Sequence, residues 1–473
     1  MKPLPLLFAL ASCFAVQTAR AQFPVFPAAD RVLGASNFTT LGPNIASASS
    51  MDGPTGLAID PVSGKLFIAV ANHHRILRFA NSAALANGAS AEAVIGQPDY
   101  TTATSGTSSS TLNLPYGLHV DGSGRLWVAD YSNHRVLRFD NAATLPEFGA
   151  TADLVLGQAD FVSGTASVSA TRMNGPTGVY VDAADNLWVA EYENNRVLKF
   201  ANASSLVNGA AATTVLGQPD FDTATSGASQ VKMKGAVAVR VDDAGRLWVA
   251  EEQNHRLLRF DGAAGLGNGA AANAVLGQPD FTTVTAGSTA VKMSQPSAFA
   301  IDAAGTLYVS DFSNSRVLYF KNPAAKANGA PADGVIGQPD LTTVTSGTTA
   351  NKLDRPYGGL DFDAAGNLWV TDFDNERSLR FSPDRSAAPP KVTGKVPKSV
   401  SGGKVTIKGT AVDAGGVAQI RYRVGKGAFQ TAVGTTAWTF KAKLKPGKNT
   451  IEIVVVDAFG NVSPAKRVKV TRE

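Results

Sequence analysis

Five carboxylates stand five residues ahead of an arginine in this 473-residue chain: Asp130 before Arg135, Glu191 before Arg196, Glu251 before Arg256, Asp311 before Arg316 and Asp372 before Arg377. Such pairs could do acid–base work. An active site is normally singular while a structural brace recurs, so the pairs read as braces. The same reasoning assigns Asp99, Asp160, Asp220, Asp280 and Asp340, each in a Gly-Gln-x-Asp segment, to turn capping. His73 and His74 are neighbours whose side chains should point to opposite faces, which argues against a shared metal. The sequence has no G-x-S-x-G elbow, no phosphate loop and no H-E-x-x-H, and its one cysteine, Cys13, lies near the N-terminus.

The braces belong to a repeat. Residues 114–139 (LPYGLHVDGSGRLWVADYSNHRVLRF) have counterparts beginning at Gly53, Gly175, Lys234, Gln295 and Arg355. The aromatics Phe67, Trp127, Trp188, Trp248, Tyr308 and Trp369 mark the period, about 60 residues, which is that of a stacked supersecondary unit. Each copy reads as three short strands. A fourth is expected in the spacers at 94–100, 155–161, 215–221, 275–281 and 335–341; none follows the sixth copy, but 32–38 stands alone before the first. That offset predicts an all-β fold: a six-bladed β-propeller of four strands per blade, with the N-terminal strand completing the last blade.

Comparing the copies points to binding residues. The first strand of each unit should be innermost, and its channel-facing position is Ala58, His119, Tyr180, Arg240, Ala300 or Asp361. Because two copies manage with alanine, His119, Tyr180, Arg240 and Asp361 are candidates for ligand contact, or for a water-filled channel network. The turns between second and third strands add Tyr131, Tyr192, Phe312 and Phe373, expected at a mouth with Asp52, Asn113, Asn174, Lys234, Ser294 and Asp354. Met51, Leu112, Met173, Met233, Met293 and Leu353 recur ahead of the first strands and read as packing plugs.

The pattern resembles the NHL-repeat propellers, whose hallmark is an acid after the second strand followed by Asn-His-Arg and a hydrophobe. Asp130 with Asn133, His134, Arg135 and Val136 meets it, as does Glu251 with Asn254, His255, Arg256 and Leu257. Other copies place His74, Asn195, Ser315 or Glu376 at the His position, and the first has Val70 for the acid and His73 for the Asn. The resemblance implies the fold. It implies no single activity, since that family includes protein-binding, RNA-binding and lyase members.

Residues 1–21 read as a signal peptide ending in Ala19-Arg20-Ala21, with lipidation at Cys13 the less favoured alternative. Either places the protein outside the cytoplasm: secreted, periplasmic or on the cell surface. No later stretch is apolar enough to span a membrane. Residues 22–385 form the expected propeller, with 25 Lys and Arg against 34 Asp and Glu; 386–390 is a Pro-rich linker. Residues 391–473 carry 16 against 4 and read as a small β-sandwich resembling bacterial immunoglobulin-like modules, with strands at 404–412, 419–424, 438–444, 450–456 and 467–471. Its lysines could meet an anionic envelope polymer, or simply form a solvated basic face.

The favoured function is an exported, monomeric binding or scaffold protein that uses the channel mouth for a protein, peptide or glycan, with no cofactor. The alternative is a metal-assisted lyase or lactonase working in the channel, for which the inner positions supply only His119 and Asp361. Nucleic acid is disfavoured by export and by the net acidic ring.

Overall fold

The computed structural model describes residues 23, 26–383, 391–393, 396–412, 417–457 and 462–473, so the expected leader 1–21 and linker 386–390 lie outside the described residues. The chain divides into two compact units, one of them Val25–Pro383 and the other containing Asp384–Glu473.

The first unit holds six four-stranded antiparallel sheets. Blade 2 shows the plan, with strands Pro115–Val120, Leu126–Asp130, Arg135–Phe139 and Leu154–Leu156 paired in that order. The first strands stand side by side around the ring, and that of blade 6, Leu360–Phe362, returns to that of blade 1, Pro54–Ile59. Arg31–Leu33 supplies the fourth strand of blade 6, with Val32 opposite Leu379 and Leu33 opposite Ser378, so the ring is closed by the N-terminal segment.

The fourth strands are shorter than the sequence suggests, three residues rather than seven. In blade 2 the strand stops at Leu156 because Gly157 takes φ +81°, a left-handed conformation, and Met173 fills the space where a Cβ would sit. Asp160 then accepts from the backbone N–H of Val162 and Ser163 at 3.0 and 2.8 Å, closing a capped turn. Its counterpart Asp99 does the same for Thr101 and Thr102.

The repeated residues hold the ring together. Asp130 is fully buried and accepts from Arg135 Nε at 2.7 Å, Asn133 Nδ2 at 2.8 Å and the Asn113 N–H at 2.7 Å, so one carboxylate ties second strand, turn and incoming loop. The guanidinium spends its other nitrogens on carbonyls, including that of Phe161 beyond the fourth strand. In blade 6 the equivalent carbonyl belongs to Phe38, 2.6 Å from Arg377 Nη1 and 339 residues away in sequence. Blade 1, lacking the acid, leaves Arg75 Nε and His73 Nδ1 without partners among the described residues. The His position is left-handed in all six blades, and in blades 1 to 5 its side chain reaches the next blade: His134 Nδ1 accepts from Gly175 N–H at 3.2 Å, Asn195 Oδ1 from Gly235 N–H at 3.0 Å. The plugs Met51, Leu112, Met173, Met233, Met293 and Leu353 are fully buried.

The second unit is a two-sheet sandwich. One sheet orders Lys391–Thr393, Lys404–Thr410 and Ala437–Lys443; the other orders Ser399–Val400, Lys466–Arg472, Gly447–Asp457, Val417–Val424 and Gln430–Thr431. Strict alternation along Lys404–Thr410 and Ala437–Lys443 sends Val405, Ile407, Trp438, Phe440 and Ala442 into a core that also takes Tyr422, whose ring stacks on Phe440 at 3.8 Å.

Candidate functional site

The channel runs through the propeller between its first strands, a narrow cavity of about 70 Å³ lined by all six. Its two ends differ chemically, and the residues expected at one mouth divide between them. His119, Tyr180, Arg240 and Asp361 lie towards the C-terminal ends of their strands, beside the turns that lead into the second strands. There the channel widens into a bowl of about 840 Å³ walled by segments such as Asp60–Gly64, Asp121–Arg125 and Asp182–Asp185. Tyr131, Tyr192, Phe312 and Phe373 lie at the other end.

At the bowl, the four polar side chains form one chain of contacts. Arg240 Nη2 is 3.3 Å from Asp361 Oδ1, and its guanidinium lies over the Tyr180 ring, 5.3 Å from the centroid. The Tyr180 ring in turn sits 4.6 Å from that of His119. Asp361 also accepts the Ile59 N–H at 3.1 Å, which fixes it at the seam between blades 6 and 1. Arg240 and Asp361 remain 21 and 19 % exposed, so the pair is reachable from the bowl. Burial, reinforced by the neighbouring Arg240 cation, holds the His119 imidazole down to about 3, so it is neutral at pH 7. Charge on the floor is therefore one guanidinium and one carboxylate, flanked by a neutral ring nitrogen and a phenol. Such a floor can orient a polar ligand by hydrogen bonds and one stacking face. Among the described residues no three His, Cys, Asp or Glu side chains converge as metal ligands.

The opposite end is closed by aromatic rings that comparison of the turns alone did not fully identify. Tyr116, in the first strand of blade 2, and Tyr357, three residues ahead of the first strand of blade 6, stand where other blades have Thr55, Thr177, Val237 or Ser297, and approach each other at 5.7 Å. Tyr116 packs on Tyr131 at 4.8 Å, and Tyr357 on Phe312 and Phe373 at 5.2 and 5.9 Å. Tyr192 accepts a hydrogen bond from Gln253 Nε2 at 2.8 Å. Among these rings stands Glu252, at the turn position that is aromatic in four other blades. It is 7 % exposed and accepts from the Tyr357 hydroxyl and from Gln295 Nε2, both at 3.3 Å. Burial pushes this carboxyl up to about 7, against a weaker pull from the Tyr357 hydrogen bond. Its signal was available in the sequence: a carboxylate in a column of aromatic residues.

Comparison with known proteins adds to this geometry. A family model described as the Teneurin NHL domain matches residues 42–320, and one described as a bacterial Ig domain matches residues 390–453. The chain is 24 % identical to Teneurin-1 of Mus musculus over 314 residues, covering 60 % of this chain and 11 % of that protein. Teneurin-4 of Homo sapiens is 23 % identical over 295 residues, covering 56 % and 10 %. The chain thus spans about a tenth of the length of these curated relatives. Among solved structures, streptogramin B lyase is similar at 13 % identity and TM-score 0.40, covering 72 % of this chain and 96 % of that one.

Proposed function

The chain belongs to the Teneurin NHL domain family, and on that premise we propose that it is an exported binding protein whose propeller holds a partner protein, peptide or glycan at the bowl end of its channel. The observation that carries this is the bowl itself: about 840 Å³ of open space over His119, Tyr180, Arg240 and Asp361, a size usual for ligand sites. Those four side chains stand where blades 1 and 5 have Ala58 and Ala300, so a blade can form without a polar side chain at that position, although Asp361 also bonds the Ile59 N–H. Export is supported by the leader-like residues 1–21 and by the match of residues 390–453 to a bacterial Ig domain.

The test is selection of binders from glycan and peptide arrays with the full mature chain, followed by Arg240→Ala and Asp361→Ala. Binders that lose at least tenfold in affinity with both variants, while the melting temperature shifts little, support the bowl. Binders that survive both changes place the binding surface elsewhere.

A further inference from the structure

Alternation in the second unit's three-stranded sheet puts Lys391, Lys404, Lys408, Lys441 and Lys443 on one outward face, all exposed. The other five outward positions of those strands are threonine or alanine; none is acidic, aromatic or large and apolar. Lys404 lies directly opposite Lys443, and Lys441 is two residues along the same strand. Like charges at a directly opposed position cost a sheet stability. No ion pair among the described residues relieves them. Glu452, on the other sheet, is held instead between Arg423 and Arg467, at 2.6 and 2.8 Å. A face kept solely for solubility would serve as well with interspersed signs.

We propose that this lysine face binds an acidic polysaccharide. Cross-strand lysines sit about 5 Å apart and successive outward positions along a strand about 7 Å apart, a grid suited to a polymer carrying a charge on each sugar. The absence of aromatic rings on the face removes the stacking that single-stranded nucleic acid uses. The absence of apolar side chains removes the wedge that seats a protein in a bilayer interface. The intervening threonine hydroxyls can donate to sugar oxygens and carboxylates. The site is independent of the propeller's channel.

The experiment measures binding of the full mature chain to immobilised polygalacturonate, with dextran, a DNA duplex and phosphatidylglycerol vesicles alongside at the same ionic strength. The expected result is salt-sensitive binding to polygalacturonate, at least tenfold tighter than to DNA or vesicles, and none to dextran. Changing Lys404, Lys408, Lys441 and Lys443 to Gln should weaken it at least tenfold. Removing equal charge elsewhere on the unit, with Arg421, Lys426, Lys466 and Lys469 changed to Gln, should alter it less than threefold. Lys443→Gln alone should weaken binding while raising Tm, because it relieves the repulsion with Lys404. Equal losses in both fourfold variants, tighter binding to DNA or vesicles, no binding to polygalacturonate at low salt, or a lower Tm for Lys443→Gln would each overturn the proposal.

Discussion

Leu33 tests whether the ring is held shut by its N-terminal strand. The side chain is fully buried with Met51, Leu57, Leu66, Ile68, Leu77 and Trp369. Truncation to alanine removes hydrocarbon whose transfer is worth about 2.4 kcal/mol at ~0.8 kcal/mol per carbon. A residual cavity of ~60 Å³ adds about 1.5 kcal/mol. Leu33→Ala should therefore cost about 4 kcal/mol, read as a lowered urea midpoint for the transition followed by tryptophan fluorescence. Leu156→Ala, the same change in the ordinary fourth strand of blade 2 and equally buried, is the internal standard. The two should agree within about 1 kcal/mol. Removing residues 26–38 altogether also strips the Asp30–Arg380 pair at 2.9 Å and the Phe38 carbonyl from Arg377, and should prevent folding until a peptide of those residues is supplied. A loss under about 1 kcal/mol for Leu33→Ala beside a full loss for Leu156→Ala would refute the reasoning, since the closing strand could then peel away freely.

Three further outcomes are expected. The Glu252 carboxyl is raised from 4.5 to about 7 in the folded chain, so the stability it lends is present below pH 4.5 and lost as pH climbs through 7; Glu252→Gln should flatten this slope and be more stable at pH 8, by at most about 3 kcal/mol, and identical slopes for the two proteins in pH-dependent urea titrations would contradict it. Val70→Asp, ordinarily ruinous at a fully buried site, should be neutral or stabilising by about 1 kcal/mol when combined with His73→Asn, because Arg75 Nε awaits an acceptor; a collapse of Tm would show that the brace geometry differs in blade 1. Residues 391–473 expressed alone should unfold in one cooperative β-type transition by circular dichroism, and a disordered fragment would place the domain boundary elsewhere.

The propeller was legible because its signals repeat: an aromatic in the second strand and an arginine at the start of the third recur at one spacing, and both turn out to be buried structural positions. The fourth strands were overextended because Val-Leu-Gly-Gln alternates acceptably on paper, whereas Gly157 at φ +81° and the Asp160 cap end the strand after Leu156. His119, Tyr180, Arg240 and Asp361 were found by their departure from Ala58 and Ala300. Their separation from Tyr131, Tyr192, Phe312 and Phe373 was not, because alignment gives a residue's position in a strand but not which end of a channel that strand position reaches. Tyr116, Tyr357 and Glu252 were missed although each departs from the small or aromatic residues in its column, since the comparison weighed one channel-facing position of the first strand and, in the turns, the aromatic residues alone.

Ring closure by Arg31–Leu33 also sets an order in time. Most blade contacts join residues within about one repeat, and such local pairings form early. The Asp30–Arg380 contact spans 350 positions, so at ~5–20 residues per second its two halves emerge roughly 20–70 s apart. Throughout that wait Val32 and Leu33 are an unpaired strand. The segments around Val155, Val215 and Val275 resemble it in sequence, and the third strand of any blade whose own fourth strand has not yet emerged offers an edge of the right kind. The competing product of synthesis is therefore a ring closed one blade early, or closed with a neighbouring chain's strand, and the rate at which blade 6 arrives decides how often the correct one forms.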